Sequence, residues 1–214
     1  MIIGNKQVDH LVYCVPHLQE GIARLETLLG VKAVIGGVHK TKGTHNALIS
    51  LGHQCYLEVL AIDPSSQVEG PRWMGIDYIS KPKLTRWAVQ SESIQQDANI
   101  FQSYNANLSQ VSQGQRQTPD GQLLKWAMTL PSAHPEIELM PFLIDWSESQ
   151  HHPADNLPKQ CSLANLILSG PKNKVLKDGL ENLLNVGGDF SRIDSEVVSI
   201  TATISTPLGF VELT

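Results

Sequence analysis

The chain has 214 residues, enough for one large domain or two small ones, with 16 basic residues against 21 acidic ones. Its net charge of −5, with the basic residues scattered along the chain, argues against a nucleic-acid partner. No apolar stretch is long enough to span a membrane.

The cysteines indicate a reducing compartment. Cys14, Cys55 and Cys161 are odd in number and lack the C-x-x-C spacing of metal and redox motifs. The N-terminal residues contain no long apolar region of the kind found in signal peptides. We therefore expect reduced, buried cysteines and a cytoplasmic protein whose partner is a small molecule.

The first unit, residues 1–62, is predicted to run strand, helix and three strands. Residues 7–14 are apolar on both faces, which is typical of a strand covered on both sides. Helical spacing follows over residues 18–29, and Gly30 is placed to end that helix. The other three strands are predicted over residues 31–38, 43–51 and 55–62.

A loop rich in proline and glycine leads to the second unit, residues 84–147. It begins with a strand and continues with a predicted helix that buries Ile94, Ala98, Phe101 and Tyr104. A weak strand near Val111 and strands over 123–130 and 137–146 complete the unit, and Pro141 favours a sheet edge or a bulge.

The third unit, residues 160–214, repeats the pattern in divergent form after a polar linker. Its predicted helix carries Val175, Leu176, Leu180, Leu183 and Leu184. Three β-α-β-β-β patterns in one chain indicate an internal repeat. The sequence therefore predicts an α+β fold made of βαβββ modules packed in one domain.

Two polar residues lie within strongly apolar strands: His10 and Glu58. Burying such groups is costly unless they are paired or bound to something. Since residues two apart share a face of a strand, the helix is expected to cover the opposite face. His10 and Glu58 are thus predicted to converge on the concave side of the sheet.

Alignment of the units places Arg86 and Asn165 at the position of His10, and Glu212 at that of Glu58. For the middle unit the counterpart of Glu58 stays open between Glu138 and the strand near Pro141. Asn165 and Glu212 would form a second cup or an exposed pair near the chain end.

Several segments resemble the vicinal oxygen chelate superfamily, in its glyoxalase-like domain branch: residues 8–13, 36–48, 56–60, 84–88 and 141–146, and the Pro119-Asp120-Gly121 turn. The resemblance implies paired βαβββ modules that form a curved, cup-shaped mixed sheet around a pocket, with helices outside. It also implies that many members hold a divalent metal there and catalyse isomerisation, lyase, dioxygenase or thiol-transfer reactions.

By this resemblance His10 and Glu58 match the metal-ligand positions of the first module. His45 is a candidate third ligand or a histidine that faces water; two imidazoles and a carboxylate suit Fe(II) or Mn(II). Zn, Ni or no metal at all stay open.

Arg86 cannot be a ligand, because a guanidinium stays protonated. It suits a substrate carboxylate or phosphate, or an internal ion pair with Glu58. Trp87, Trp126 and Arg116 are candidates for the substrate pocket, with packing or a surface charge as the alternative. We expect His39 to be a solvated loop residue and give His151 and His152 no role.

The favoured function is an enzyme that acts on a small oxygenated, acidic metabolite, with Glu58 or His10 moving a proton. The alternative is a metal-free binding or sequestering protein of the same fold. A third reading, a structural or dimerising module, leaves a homodimer open.

Overall fold

The computed structural model describes residues 1–118, 121–185 and 192–214. Pro119 and Asp120 of the motif quoted above lie outside the described residues. The first unit consists of β1 (Ile2–Ile3), β2 (Lys6–Cys14), α1 (Leu18–Leu29), β3 (Val34–His39), β4 (Thr44–Ser50) and β5 (Tyr56–Ile62).

Helix α1 ends where the sequence predicts. Gly30 adopts a left-handed conformation, with φ of 69°, and its N–H donates to the carbonyl of Glu26. A residue without Cβ takes this conformation at little cost, which makes glycine a common end for a helix.

The loop before the second unit contains a 3₁₀ segment (Trp73–Tyr78). The second unit consists of β6 (Lys83–Gln90), α2 (Ile94–Ala98), two 3₁₀ turns (Asn99–Ser103 and Ala106–Ser109), β7 (Val111–Gln117), β8 (Leu123–Thr129) and β9 (Phe142–Asp145). The predicted helix after β6 is a short α-helix that continues directly as a 3₁₀ turn, and Ile94, Ala98 and Phe101 are buried in it as expected. Asn105 then accepts a hydrogen bond from the N–H of Asn107 at 3.1 Å and starts a separate turn. The predicted strand over 137–146 is also shorter, because Pro141 has no N–H to donate.

The third unit consists of β10 (Ser162–Gly170), α3 (Lys174–Leu184), β11 (Arg192–Asp194), β12 (Ser199–Thr206) and β13 (Gly209–Leu213). Its strands form a separate sheet in the order β11-β10-β12-β13. Asn173 caps α3 by accepting a hydrogen bond from the N–H of Leu176 at 3.0 Å.

The strands of the first two units form one mixed sheet. Their order is β3-β4-β5-β2-β6-β9-β8-β7, with β1 beside β2. β2 runs parallel to β5, β6 runs parallel to β9, and β2 and β6 meet antiparallel at the centre. The sheet curves until its end strands β3 and β7 approach each other. The predicted fold class, an α+β protein with a curved mixed sheet and helices outside, is confirmed.

The two faces of this sheet bury different sets of residues. Leu11, Leu57 and Trp87 point outward into the main core, which also contains residues of the three helices and the second sheet. Val12 and Ala88 point to the concave side, where they join a separate apolar cluster. This alternation directs His10 and Glu58 into the concave side.

All three cysteines are buried and free, as predicted. Among the described residues, no helix has the length and apolar character needed to span a membrane.

Candidate functional site

The central strand β2 is irregular at Asp9. Val8 pairs with Val89 and His10 pairs with Ala88, so Asp9 is an extra residue with no partner in β6. Such a bulge changes the direction of the side chains around it. As a result the carboxylate of Asp9 lies 2.5 Å from Nδ1 of His10, although the two residues are adjacent in a strand.

Asp9 is fully buried and accepts three further hydrogen bonds on its second oxygen. The donors are Nε2 of His152 at 2.9 Å, Nε2 of Gln90 at 3.0 Å and Nε1 of Trp146 at 3.0 Å. Burial alone would raise the pKa of Asp9, but the hydrogen bonds and charges of the two histidines hold this pKa well below its usual range. Asp9 is therefore an anion at the base of the site.

The Asp9 carboxylate determines which ring nitrogen of His10 and of His152 carries the proton. Nδ1 of His152 accepts from the N–H of Ala154 at 3.1 Å, which leaves Nε2 as the donor to Asp9. The Asp9 carboxylate can only accept, so Nδ1 of His10 donates to it, and Nε2 is directed toward Glu58. His152, to which we had given no role, is buried and belongs to this network.

Glu58 lies opposite His10 and is 5 % exposed. Its Oε1 accepts a hydrogen bond from Nδ2 of Asn46 at 2.6 Å. Nε2 of His10 lies 3.9 Å from Oε2, and Nε2 of His39 lies 3.9 Å from Oε1. The structure thus brings His10 and Glu58 together, and adds Asn46 and His39 beside them.

The expectation that His39 is a solvated loop residue is wrong. Its side chain is 8 % exposed, and its Nδ1 lies 3.1 Å from the hydroxyl of Thr44. Burial, opposed by the charge of Glu58 and helped by that of Arg116, lowers the pKa of His39 to about 4. This imidazole is therefore neutral at physiological pH.

The lowered pKa of His39 predicts a loss of stability in mild acid. Between its ordinary value of 6.5 and about 4 the unfolded chain binds the proton and the folded protein does not. The free energy of unfolding should therefore fall by about 2 kcal/mol on this account between about pH 7 and about pH 5. We expect His39→Gln to remove this part of the pH dependence in urea unfolding, and His17→Gln, at an exposed position, to retain it. If the free energy of unfolding of His39→Gln fell between pH 7 and pH 5 as steeply as that of the wild type, the lowered pKa of His39 would be contradicted.

Arg116 closes the gap between the two end strands of the large sheet. From β7 its guanidinium donates to the carbonyl of Gly36 in β3. Burial lowers the pKa of Arg116, whereas the nearby Tyr56 and Glu58 raise it. The side chain is 9 % exposed and lines the cavity, so a fixed cation lies beside the carboxylate.

The cavity around Glu58 has largely aromatic and apolar walls. The ring of Tyr56 stacks on that of His10 with centroids 4.6 Å apart. The remaining walls are formed by Trp73, Met74, Trp126, Met128, Phe142, Ile144 and Trp146. His39, Trp73, Arg116 and Trp126 also line a wider cleft of about 760 Å³ on its outer side. Trp126 and Arg116 are thus placed at the pocket, where the sequence predicted them.

Arg86 lies outside the cavity around Glu58. Its two terminal nitrogens donate at 2.6 to 2.9 Å to the carbonyls of Thr85, Ser132, Pro135 and Glu136. All four N–H groups of those nitrogens are engaged, so the guanidinium holds the loop before β9. The alternative of an ion pair with Glu58 is wrong: no lysine or arginine among the described residues forms one with it.

Trp87 points away from the cavity. Its side chain is fully buried in the main core, and its Nε1 donates to the carbonyl of Leu139 at 2.8 Å. The structure does not bring this residue to the predicted substrate pocket.

Glu138 also lies outside the site, where its carboxylate accepts from the hydroxyl of Tyr104 at 2.7 Å. In the parallel pairing, Ala88 opposes Phe142 as His10 opposes Tyr56. The strand position that corresponds to Glu58 in this register is Ile144. The described residues of the second module therefore contribute no carboxylate to the cavity.

The polar residues of the third unit form a row across the second sheet, where Asn165 pairs with Thr203 and Thr203 pairs with Glu212. Glu212 is exposed, and Oδ1 of Asn165 accepts from the N–H of Leu166 at 3.0 Å. This row is separate from the cavity.

The predicted metal ligands do not form one set. Thr44 and Asn46 point to the cavity side, where they contact Trp73 and Glu58, so His45 between them faces the other side. Within the described ranges, no group of three or more His, Cys, Asp or Glu residues is arranged to hold a metal ion. Arg116 also places a positive charge beside the carboxylate. This donor set does not fit a divalent metal.

Sequence reasoning missed Asp9, His39, Asn46 and His152. Only Asp9 gave a usable signal, since a second charged residue directly before His10 in an apolar strand needs a buried partner.

Three solved structures illustrate the likeness of this fold to known proteins. A hypothetical protein from Staphylococcus aureus is 18 % identical, with 91 % of this chain and 88 % of that chain covered and a TM-score of 0.66. Methylmalonyl-CoA epimerase from Mycobacterium tuberculosis is 14 % identical over 68 % of this chain and 90 % of that chain, with a TM-score of 0.43. A hypothetical protein from Bacillus halodurans is 15 % identical over 65 % of this chain and 92 % of that chain, with a TM-score of 0.42.

No curated protein matches the chain. The family model of the glyoxalase-like domain matches residues 8–184, which include the network around Asp9 and the curved sheet except for β1 and the first two residues of β2. The chain therefore belongs to the glyoxalase-like domain family.

Proposed function

We propose that the protein is a cytoplasmic enzyme that moves a proton on a small oxygenated metabolite, in a reaction of the isomerase or lyase type. The observation that carries this proposal is the buried carboxylate of Glu58, held between two imidazoles at the end of a largely apolar cavity. Perturbed or buried titratable groups in a cleft are candidates for acid–base work.

Glu58 is the proposed general base. Asn46 donates to one oxygen, and no lysine or arginine among the described residues pairs with the carboxylate. Its carboxylate is therefore oriented by Asn46 and is not neutralised by an ion pair with a described residue. It would take a proton from a carbon next to a carbonyl group, so that the C–H bond breaks and its electron pair forms an enolate.

Arg116 and His10 would act on the oxygen atoms of the substrate in that reaction. The guanidinium of Arg116 would stabilise the negative charge that develops on the enolate oxygen. Nε2 of His10, kept free by the bond between Nδ1 and Asp9, would receive or return a proton at the neighbouring oxygen. Proton return to a different atom of the substrate gives isomerisation, and loss of a leaving group gives a lyase reaction.

A metal is not required by this scheme. Family resemblance allows one, yet the donor set around Glu58 does not fit a dication and His45 faces away. Dioxygenase chemistry would need a redox metal, for which these residues offer no ligand set.

Proton exchange into deuterated water tests the proposal without knowledge of the natural substrate. The probes are 2-oxo-4-phenylbutanoate and 2-hydroxy-4-phenylbutanoate, followed by proton NMR. We expect the protein to speed exchange of the proton next to the carbonyl, and we expect dialysis against EDTA to leave that rate unchanged within about twofold. Loss of activity in EDTA with recovery on added Zn or Mn would contradict the metal-free scheme. Binding of a probe without exchange would favour a sequestering protein.

A further inference from the structure

Among the described residues, the charged side chains that line the outer cleft are all basic. They are Lys40, Lys42 and Arg116, next to the neutral imidazole of His39. The chain as a whole carries a charge of −5, so this cleft differs in sign from the rest of the molecule. A cleft lined by one sign of charge concentrates ligands of the opposite sign.

We propose that this cleft binds an elongated anion, with a carboxylate or phosphate head against Lys40 and Lys42 and an apolar aryl or alkyl body against Trp73 and Trp126. The reactive end of this ligand would reach Glu58. The inference deepens the proposed function, on which it rests only for the reaction at that end.

The two lysines are held at the mouth of the cleft by a tight turn. The N–H groups of Lys42 and Gly43 both donate to the carbonyl of His39 at 2.9 Å. Nζ of Lys42 lies over the ring of Trp73, 5.4 Å from its centroid. Neither lysine forms an ion pair with a described residue, whereas the neighbouring Arg72 is paired with Asp77 at 2.6 Å. Two ammonium groups with no ion-pair partner in the described part of the chain thus line the same opening.

The apolar wall depends on a glycine. A Cβ at Gly114 would collide with the indole ring of Trp126, so the ring occupies the space that any other side chain would need. The ring therefore packs over the backbone of β7 at Gly114. Leu123 lines the same cleft and is 46 % exposed, although it is a large apolar residue. These surfaces gain from contact with an apolar body.

The size of the cleft suits a small ligand better than a macromolecule. A volume of about 760 Å³ lies within the usual range for drug-sized ligands. The acidic chain and the enclosed walls do not favour a polyanion such as nucleic acid. An amphipathic small molecule with one charged end satisfies both the lysines and the tryptophans.

Tryptophan fluorescence titration of Glu58→Gln protein tests the inference, because this variant separates binding from turnover. The probes are 4-phenylbutanoate, 4-phenylbutyl phosphate and the neutral 4-phenylbutanamide. We expect at least one anion to bind about tenfold or more tightly than the amide, with a preference that weakens as salt is added. The stronger of the two anions identifies the head group.

The Lys40→Ala/Lys42→Ala double variant should reduce that preference to within about threefold. The matched control, Lys81→Ala/Lys159→Ala, changes two exposed lysines outside the cleft and should keep it. Equal binding of the amide, an unchanged preference in the double variant, or no binding of either anion would overturn the inference. Anion preference in a protein that shows no proton exchange would overturn only the proposed function.

Discussion

Glu58→Gln is expected to lower the rate of catalysed proton exchange about 10²- to 10⁴-fold, the range usual for loss of a general base. Glutamine keeps the size of the side chain and can still accept the hydrogen bond from Asn46. It removes the negative charge and the basic oxygen that faces the cavity. The variant should therefore fold and bind the probes within about threefold of the wild type.

Glu92→Gln is the matched control, since this glutamate is exposed and lies outside the cavity. It should leave the exchange rate unchanged. If Glu58→Gln retained the wild-type rate, the carboxylate would not be the base. If it lost probe binding as well, its role would be to shape the cavity.

Asp9→Asn is expected to destabilise the protein by about 3–5 kcal/mol, as removal of one partner from a buried charged network does. Four donors from His10, His152, Gln90 and Trp146 point at the carboxylate. An asparagine amide has a single acceptor oxygen, and its NH₂ group would face donors. Because the pKa of Asp9 is lowered on folding, the contribution is present above its ordinary value of 3.8 and is lost as the pH falls below it.

Urea unfolding at neutral pH, followed by circular dichroism, measures this loss. The control is Asp178→Asn, which breaks an exposed pair with Lys174 and should change stability little. Nitrogen NMR of His10 gives a second readout: in Asp9→Asn the proton should no longer be confined to Nδ1. A midpoint equal to that of the wild type would show that the network contributes nothing measurable.

The strand pattern was enough to predict the central part of the site. His10 and Glu58 lie at positions that the pleat of a strand directs to one face, and both strands are apolar enough to be recognised. The curved sheet then follows from pairing β2 with β5, which sets the two groups near each other. The α+β class and the end of α1 at Gly30 were predictable for the same reason: they depend on local pattern.

The rest depends on irregularities that a sequence does not reveal. Asp9 reaches His10 only because β2 carries an extra residue relative to β6. The pairing of β3 with β4 likewise skips Gly36, ahead of His39. Arg86 was misjudged because a long side chain can reach carbonyls of a loop 46 to 50 positions away.

The bond from His152 to Asp9 spans 143 positions of the chain, which has a consequence for how the protein matures. During synthesis β2 and β5, which carry His10 and Glu58, leave the ribosome long before the segment with Trp146 and His152. That later segment donates to the carboxylate that orients the imidazole of His10. A nascent chain cut off before Trp146 would hold both key groups and yet lack two of the donors that align them. The network around His10 should therefore be complete only late in translation.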